Sequence, residues 1–330
     1  MTQDAYAQAG VSQRRADSAV AALVSHLSRI ETGRPTRVVP LPGHYASVLR
    51  LDERTGIAFG TDGVGTKMVV AERLGRFETI GIDCIAMNVN DLICVGAEPI
   101  AMLDFILCSE ADAAVCGAIG AGLRAGAEQA GIEIPGGEIA QVGDVVSGWE
   151  LTGSAIGLVA LDGIVTGDRV EPGDALIGLP SSGLHSNGYT LARRVLAEVP
   201  LRDERLGRPL GDVLLEPTTI YVRAVLELLR SAVDVRGLAH ITGDGLNNLN
   251  RLRDDVRYDI TDPLPVPEVF ALIQELGDVA EAEMYEVFNM GLGFVCVVPE
   301  GDAEAAVALL ASQHPGTRVI GRVGEDGRAP

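Results

Sequence analysis

Residues 81–93 place Ile82, Ile85, Ala86, Val89, Leu92 and Ile93 on one face of a helix, because apolar residues three and four apart stack at about 100° per residue. A stripe of that width has to be buried against a second layer, so it commits the surrounding chain to packed secondary structure. On the opposite face Asp83, Asn90 and Asp91 fall close together, and Asn88 borders them. A solvated face would read the same way. This one lacks the Lys, Arg and Glu of exposed helices, and oxygen acceptors without basic neighbours look like cation ligands.

Around this helix the periodicity alternates. Helical spacing over 14–30 is followed by a loop at 33–43, strand-like apolar runs occupy 57–61, 100–108 and 151–160, and an Ala-rich helix over 111–130 ends at Gly131. The second half repeats the mixture, with strand-like runs at 174–180, 291–298 and 317–323 and helices after Asn187, Pro217, Pro267 and Asp302. Between the halves, residues 162–174 hold the turn residues Gly163, Gly167, Pro172 and Gly173. The expected organisation is α/β, of the α+β type, with two mixed domains at 1–165 and 166–330. A chain of 330 residues is long enough for two cores.

Net charge narrows the partners. At −20 the chain repels phosphate backbones and anionic lipid, so neither nucleic acid nor a membrane is an expected partner, and an anionic substrate needs locally concentrated positive groups. The five cysteines are odd in number, lie in apolar surroundings and form no CxxC pair, as in a reduced, cytoplasmic protein. The N-terminus lacks the order of a signal peptide, and no apolar run reaches the roughly 18 residues of a membrane span.

The motif TDGVGTK at 61–67 follows a strand and sets Asp62, Gly63, Gly65, Thr66 and Lys67 in one short turn. Phosphate with magnesium would use such a set: glycines admit backbone N–H groups to phosphate oxygens, a carboxylate holds a hard cation, and a lysine supplies a compact charge. The GxxxxGK[ST] spacing of the Walker A loop is absent. Lys67 is the only lysine in the chain. Where composition otherwise prefers arginine, a single lysine points to a place the planar guanidinium does not suit, against the alternative of a solvated lysine left by chance. The tract Gly136-Gly137-Glu138 reads alone as a turn, and gains weight because Asp62, Asp83, Asp91 and Glu138 together would supply the oxygens for magnesium bridging phosphates.

Two further loops lead from strands into helices. At 181–189, Ser186 and Asn187 are placed to cap the following helix, with Gly188 beside them, whose free N–H groups would accept an anion, and His185 would donate to the same ligand; plain capping around a satisfied histidine is the alternative. At 240–245 the stretch Thr242-Gly243-Asp244-Gly245 makes a comparable turn after His240, which is equally readable as a structural histidine closing a strand. Two anion sites would suit a phosphorylated substrate.

In order, TDGVGTK at 61–67, GIDCIAMNVNDL at 81–92, GAEP at 96–99, GGE at 136–138, SSGLHSNGYTL at 181–191, LLEPTTIYV at 214–222, HITGDG at 240–245 and EMYEVFNMGLGF at 283–294 resemble the motifs of the phosphoribosylformylglycinamidine cyclo-ligase family over nearly the whole chain. The resemblance implies a homodimer whose N-terminal domains contribute strands to a β-barrel-like interface, with ATP bound near it. It implies ring closure of formylglycinamidine ribonucleotide to 5-aminoimidazole ribonucleotide, with ATP and Mg2+ used and ADP and phosphate released. Asp62, Asp83, Asp91 and Glu138 would organise magnesium and ATP, assisted by Asn88 and Asn90, while Lys67 meets phosphate. His185, Ser186, Asn187 and the Thr242-to-Gly245 turn would hold the ribotide and polarise the reacting amide, which makes Lys67, His185 and Asn187 the expected catalytic residues. The chain departs from the family pattern at Ile139, at Val142-Gly143 and at Asp244. Similar ATP-using relatives are thiamine monophosphate kinase, selenophosphate synthetase and a hydrogenase maturation protein; the second would want a reactive cysteine near the N-terminus, and the first here is Cys84. A catalytically silent subunit would be expected to lose its carboxylates.

Overall fold

The computed structural model describes residues 13–325. The helix α1 (Gln13–Leu27) leads in, with Val20, Leu23, Val24 and Leu27 exposed. Six strands follow, β1 (Val38–Val39), β2 (Ser47–Arg50), β3 (Thr55–Gly63), β4 (Glu98–Cys108), β5 (Glu133–Gln141) and β6 (Trp149–Ala160), in the sheet order β1-β2-β3-β6-β4-β5. All neighbours are antiparallel except β4 and β5.

Helices α2 (Met68–Leu74), α3 (Ile80–Cys94) and α4 (Ala113–Ala130) belong to the same half, with α3 against one face of the sheet. Along β6, buried and open residues alternate, as expected of a sheet covered on one side. The uncovered side presents Leu49, Phe59, Leu103, Phe105 and Leu158, all more than a third exposed.

The second half holds β7 (Ala175–Pro180), β8 (Gly237–His240), β9 (Arg257–Ile260), β10 (Leu292–Val298) and β11 (Arg318–Gly324) in the antiparallel order β8-β10-β7-β11-β9. The helices α5 (Tyr189–Val195), α6 (Leu210–Leu214), α7 (Val222–Leu229), α8 (Glu268–Gly277), α9 (Glu281–Val287) and α10 (Ala303–Ala311) accompany it. One continuous apolar core runs through both halves.

Expectation and structure meet at the long elements, since each periodic run coincides with a helix or strand within a few residues. Asp112 caps α4 by accepting the N–H groups of Ala114 and Val115, and Gly131 ends it at φ 75°. The Pro135-to-Glu138 tract is not a turn but the middle of β5. An edge position tolerates Pro135, and Gly137 lies close to the Asp104 carboxylate, since a Cβ there would come within 2.2 Å of Oδ1 unless that side chain turned aside.

Helix α3 departs most from its reading. Asp83, Asn88 and Asn90 are as buried as its apolar stripe, because Asp83 and Asn90 face the second half of the chain instead of solvent and Asn88 turns to β3. Its approach to α4 runs through glycines: a Cβ on Gly81 would lie 2.1 Å from the backbone nitrogen of Leu123, and one on Gly122 2.2 Å from the carbonyl of Glu78. No helix among the described residues is long and apolar enough to cross a membrane.

Candidate active site at the domain seam

The polar side of α3 is satisfied mainly by groups of the second half, one residue at a time. Asn90 accepts the N–H of Tyr221 at 3.1 Å and donates to the carbonyl of Thr219 at 2.9 Å. Asp91 Oδ1 lies 2.9 Å from Nδ1 of the buried His240. Met87 Sδ receives the Asn187 amide at 3.8 Å. Asn88 alone turns back to its own sheet, where it accepts from the Asp62 N–H at 3.0 Å and donates to the Asp62 carbonyl at 3.1 Å, fixing the end of β3.

Asp83 and Lys67 make the fourth link. The Lys67 ammonium lies 2.8 Å from both carboxylate oxygens of Asp83 and donates to the carbonyls of His185 at 3.0 Å and Glu216 at 2.6 Å. Asp83 Oδ1 also accepts the N–H of Thr218 at 2.7 Å and its hydroxyl at 2.6 Å. Both charged side chains are 0% exposed. Burial lowers the Lys67 pKa, with the carboxylate of Asp83 opposing that shift.

Two expected site residues have protein partners of their own. The three N–H groups of the Lys67 ammonium are all engaged by protein acceptors, so no donor is left over for a phosphate in this arrangement. Asp83, expected beside Asp62 and Asp91, is enclosed by Lys67 and Thr218. The base comes from the turn at 65–67 and the other partners from beyond residue 180, so neither is visible in the local spacing of α3.

Asp62 feels the charge of Asp91. Burial pushes the Asp62 carboxyl up to about 6, and the nearby Asp91 carboxylate adds to the shift, against the pull of the Gly63 N–H at 2.7 Å and the charge of His240. The glycines beside them have separate reasons. A Cβ on Gly63 would meet Glu150 Oε1 at 2.9 Å, while Gly65 takes φ 65° and gives its N–H to the same oxygen at 3.0 Å. Glu150 thus holds the glycine turn, a contact that pattern reading missed; the signal was a lone carboxylate in a strand of small and apolar residues. Thr66 faces Thr190, with hydroxyls 3.3 Å apart.

Glu138 stands apart. It is exposed on β5 in register with Phe105, and its own carboxylate accepts the Ile139 N–H at 2.9 Å. Gly136 is exposed beside it. Among the described residues no three His, Cys, Asp or Glu side chains gather so as to hold a metal alone.

The two loops of the second half adjoin each other. A Cβ on Gly243 would lie 3.4 Å from Asn187 Oδ1. Capping is not their role: Gly188, at φ 72°, occupies the N-cap of the seven-residue α5 without a side-chain bond, while Ser186 reaches the Thr218 hydroxyl at 3.2 Å. Thr242 is held by Asn248, whose Oδ1 accepts its N–H at 2.7 Å, and the turn continues as a 3-10 helix, Gly245–Arg251, not an α-helix. Asp244 pairs with Arg251 at 3.3 Å, which answers the negative charge it brings to this turn.

His185 sits at φ 60°, a left-handed conformation uncommon outside glycine. Its Nε2 accepts the N–H of Ser182 at 3.2 Å, so the neutral ring carries its proton on Nδ1, which is buried and has no protein partner. Burial holds its pKa well below the ordinary value, helped by the His240 and Lys67 charges.

Two models of one family match this chain in series, the AIR synthase related protein N-terminal domain over residues 43–159 and the AIR synthase related protein C-terminal domain over 171–329. A protein of Thermococcus gammatolerans named phosphoribosylformylglycinamidine cyclo-ligase is 48% identical over 322 residues, covering 96% of this chain and 95% of its own. The chain belongs to the phosphoribosylformylglycinamidine cyclo-ligase family. A second cyclo-ligase, from Methanothermobacter thermautotrophicus, is 46% identical over 329 residues, 98% of this chain and 95% of its own. The hydrogenase maturation protein HypE in complex with ATP shares the fold, with a TM-score of 0.62 and 23% identity over 84% of this chain and 79% of that one. The cyclo-ligase family is a ligase family of purine biosynthesis that forms a carbon–nitrogen bond at the expense of ATP.

Proposed function

We infer that the chain closes the ring of formylglycinamidine ribonucleotide to give 5-aminoimidazole ribonucleotide, converting ATP to ADP and phosphate, in the cytoplasm and as a homodimer. The observation that carries the site assignment is α3 itself, whose Asp91 is bonded to His240 and whose Met87 meets Asn187 beside Gly243, next to the glycine turn that holds Asp62. Cytoplasmic placement is supported by the five free cysteines.

The formyl oxygen of the substrate is a poor leaving group. Transfer of the γ-phosphoryl group to that oxygen turns it into phosphate, which departs when the amidine nitrogen attacks the same carbon. Alignment of two bound substrates and stabilisation of moving charge are then the main demands on the protein. Gly63, Gly65 and Thr66 would line the phosphates from one side. His185, Asn187 and Thr242 to Gly245 would hold the ribotide from the other, and the unpartnered Nδ1 proton of His185 suits a carbonyl oxygen.

The residues present fit magnesium. Asp62 and Asp91 repel one another, and magnesium takes one or two carboxylates and completes its shell with phosphate and water. Its chemistry would be neutralisation of phosphate charge. A groove of about 680 Å3 runs from Thr61 past Tyr45, Phe59, Leu103 and Ile156 on the uncovered side of the first sheet, which supports a nucleotide beside that face. The same apolar face supports dimerisation, because a second copy would cover it.

The test is turnover of formylglycinamidine ribonucleotide with magnesium and ATP, following ADP and a diazotisable aminoimidazole together. Coupled appearance of both is the expected result. ADP formed only with another acceptor, such as thiamine monophosphate, would assign the chain to a kinase instead.

A further inference from the structure

Lys67 is the last residue of the 3-10 helix Gly65–Lys67, directly after the glycine turn, and its ammonium ends on two carbonyls of the second half. One of them belongs to His185, whose backbone is in the left-handed region. The other belongs to Glu216, two residues before the Thr218 that holds Asp83. Four segments therefore meet at one fully buried charge pair: the turn at 61–67, α3, the loop before α5 and the stretch at 216–218. Tyr189 closes it, with its ring centroid 5.7 Å from the ammonium.

A free lysine for phosphate would sit at the turn surface. A purely structural pair would keep its bonds within one half. The Lys67–Asp83 pair lies in the first half, but each member bonds across to the second, Lys67 to the His185 and Glu216 carbonyls and Asp83 to Thr218, so it links the turn assigned to nucleotide with the loop assigned to ribotide. Its partners on the far side are backbone carbonyls, which cannot be altered by exchanging a side chain. An uncommon backbone geometry persists only where its surroundings over-determine it, and at His185 the surroundings are the Lys67 ammonium on the carbonyl and the Ser182 N–H on the ring.

We propose that Lys67 is a positioning residue that couples the two substrate sites, latching the His185 loop to the glycine turn so that occupancy of one subsite prepares the other. The inference rests on the functional reading above. A shift of the turn when phosphates bind moves the ammonium, and with it the His185 carbonyl and the ring whose Nδ1 proton has no protein partner. Thr218 is the counterweight, keeping Asp83 fixed so that the ammonium pulls on the loop and not on the carboxylate.

The test measures binding of a non-hydrolysable ATP analogue by calorimetry, with and without formylglycinamidine ribonucleotide. It uses the wild-type chain, the neutral double variant Lys67→Met with Asp83→Asn, and Thr218→Val, each checked for folding by thermal melting. In the wild type the ribotide should raise analogue affinity by roughly tenfold, within the usual range of linked sites. In the double variant each ligand should still bind alone, the enhancement should fall to about one, and kcat should drop by roughly 100-fold, the cost of misaligning reacting groups. Thr218→Val keeps the ion pair and should lose part of the enhancement.

An unchanged enhancement in the folded double variant overturns the proposal. If the double variant does not fold, Thr218→Val decides, and full wild-type enhancement there overturns it equally. A wild type that binds both ligands without mutual effect removes this inference and leaves the functional reading standing. One that binds neither removes both.

Discussion

His240 and Asp91 are hydrogen-bonded across the seam, Nδ1 to Oδ1 at 2.9 Å, with the imidazole fully buried and the carboxylate 22% exposed. The carboxylate therefore has one side fixed by protein and one side open, and it stands close enough to Asp62 to raise that group's pKa. Asp91→Asn should keep the contact with His240 and the fold while removing the charge. The expected loss is roughly 10²–10³-fold in turnover, as for removal of one electrostatic element of an active site. Steady-state kinetics at saturating magnesium and ATP checks it, and an active Asp91→Asn would place the acidic pair outside the chemistry.

Asp62 gives the activity a pH signature. Its folded pKa of about 6 lies above the ordinary 3.8, so the folded protein binds the extra proton between those values. Its contribution to stability is fully present below 3.8 and is lost as pH rises through 6. Nucleotide binding should run the other way, strengthening as the carboxylate ionises around pH 6. Asp62→Asn should flatten that inflection in a titration of analogue affinity; an inflection that survives belongs to another group.

His44 acts with the opposite sign on stability. Burial and the Arg251 charge lower its pKa from 6.5 to about 4, so the unfolded chain takes up the proton first as the solution is acidified. The stabilisation from the neutral ring is complete above 6.5 and is lost as pH falls through 4. His44→Gln should make denaturant midpoints less steep over that window, and an unaltered slope would exclude it.

The open sheet face predicts an assembly. Leu103 and Phe105 are 52% and 39% exposed on β4, on the same sheet face as Phe59 and Leu158. Leu103→Glu with Phe105→Glu should leave a folded monomer by sedimentation, because charge placed in an apolar contact loses its hydration. Dimers that persist in the double variant would exclude this face as the interface.

The contact between α3 and α4 sets a limit on side-chain size. Gly122→Ala forces a methyl against the Glu78 carbonyl at 2.2 Å, and the two helices cannot separate without loosening β3 and the seam. A destabilisation of about 3 kcal/mol, at the upper end for overpacking, is expected from denaturant unfolding. A change under about 1 kcal/mol would mean that the helices slide more readily than their packing implies.

Long elements were legible because their apolar spacing is local. The helix at 111–130 and the strands at 151–160 and 291–298 carry their period in a single run. Strand β5 was not, because Pro135, Gly136 and Gly137 are turn residues by composition, and their place beside Asp104 is decided by a neighbour thirty residues earlier in the chain. The short strands β2, β8 and β9 carry too few residues for a period to register. At the site, Asp62, Asp91 and Asn187 were readable as polar residues with a task. The destination of Lys67 was not, since nothing within ten residues of it names the His185 and Glu216 carbonyls.

The shared bonding of α3 restricts how the molecule can be recombined. A chimera that replaces the second half with that of a distant relative loses the second-half partners of Asp83, Met87, Asn90 and Asp91, unless it brings equivalents of Thr218, Thr219, Tyr221, Asn187 and His240 with it. Buried amides and carboxylates stranded by such a graft would each cost about 1–3 kcal/mol. The unit that can be exchanged is therefore not a domain as cut in the chain, but a domain together with the helix it grips.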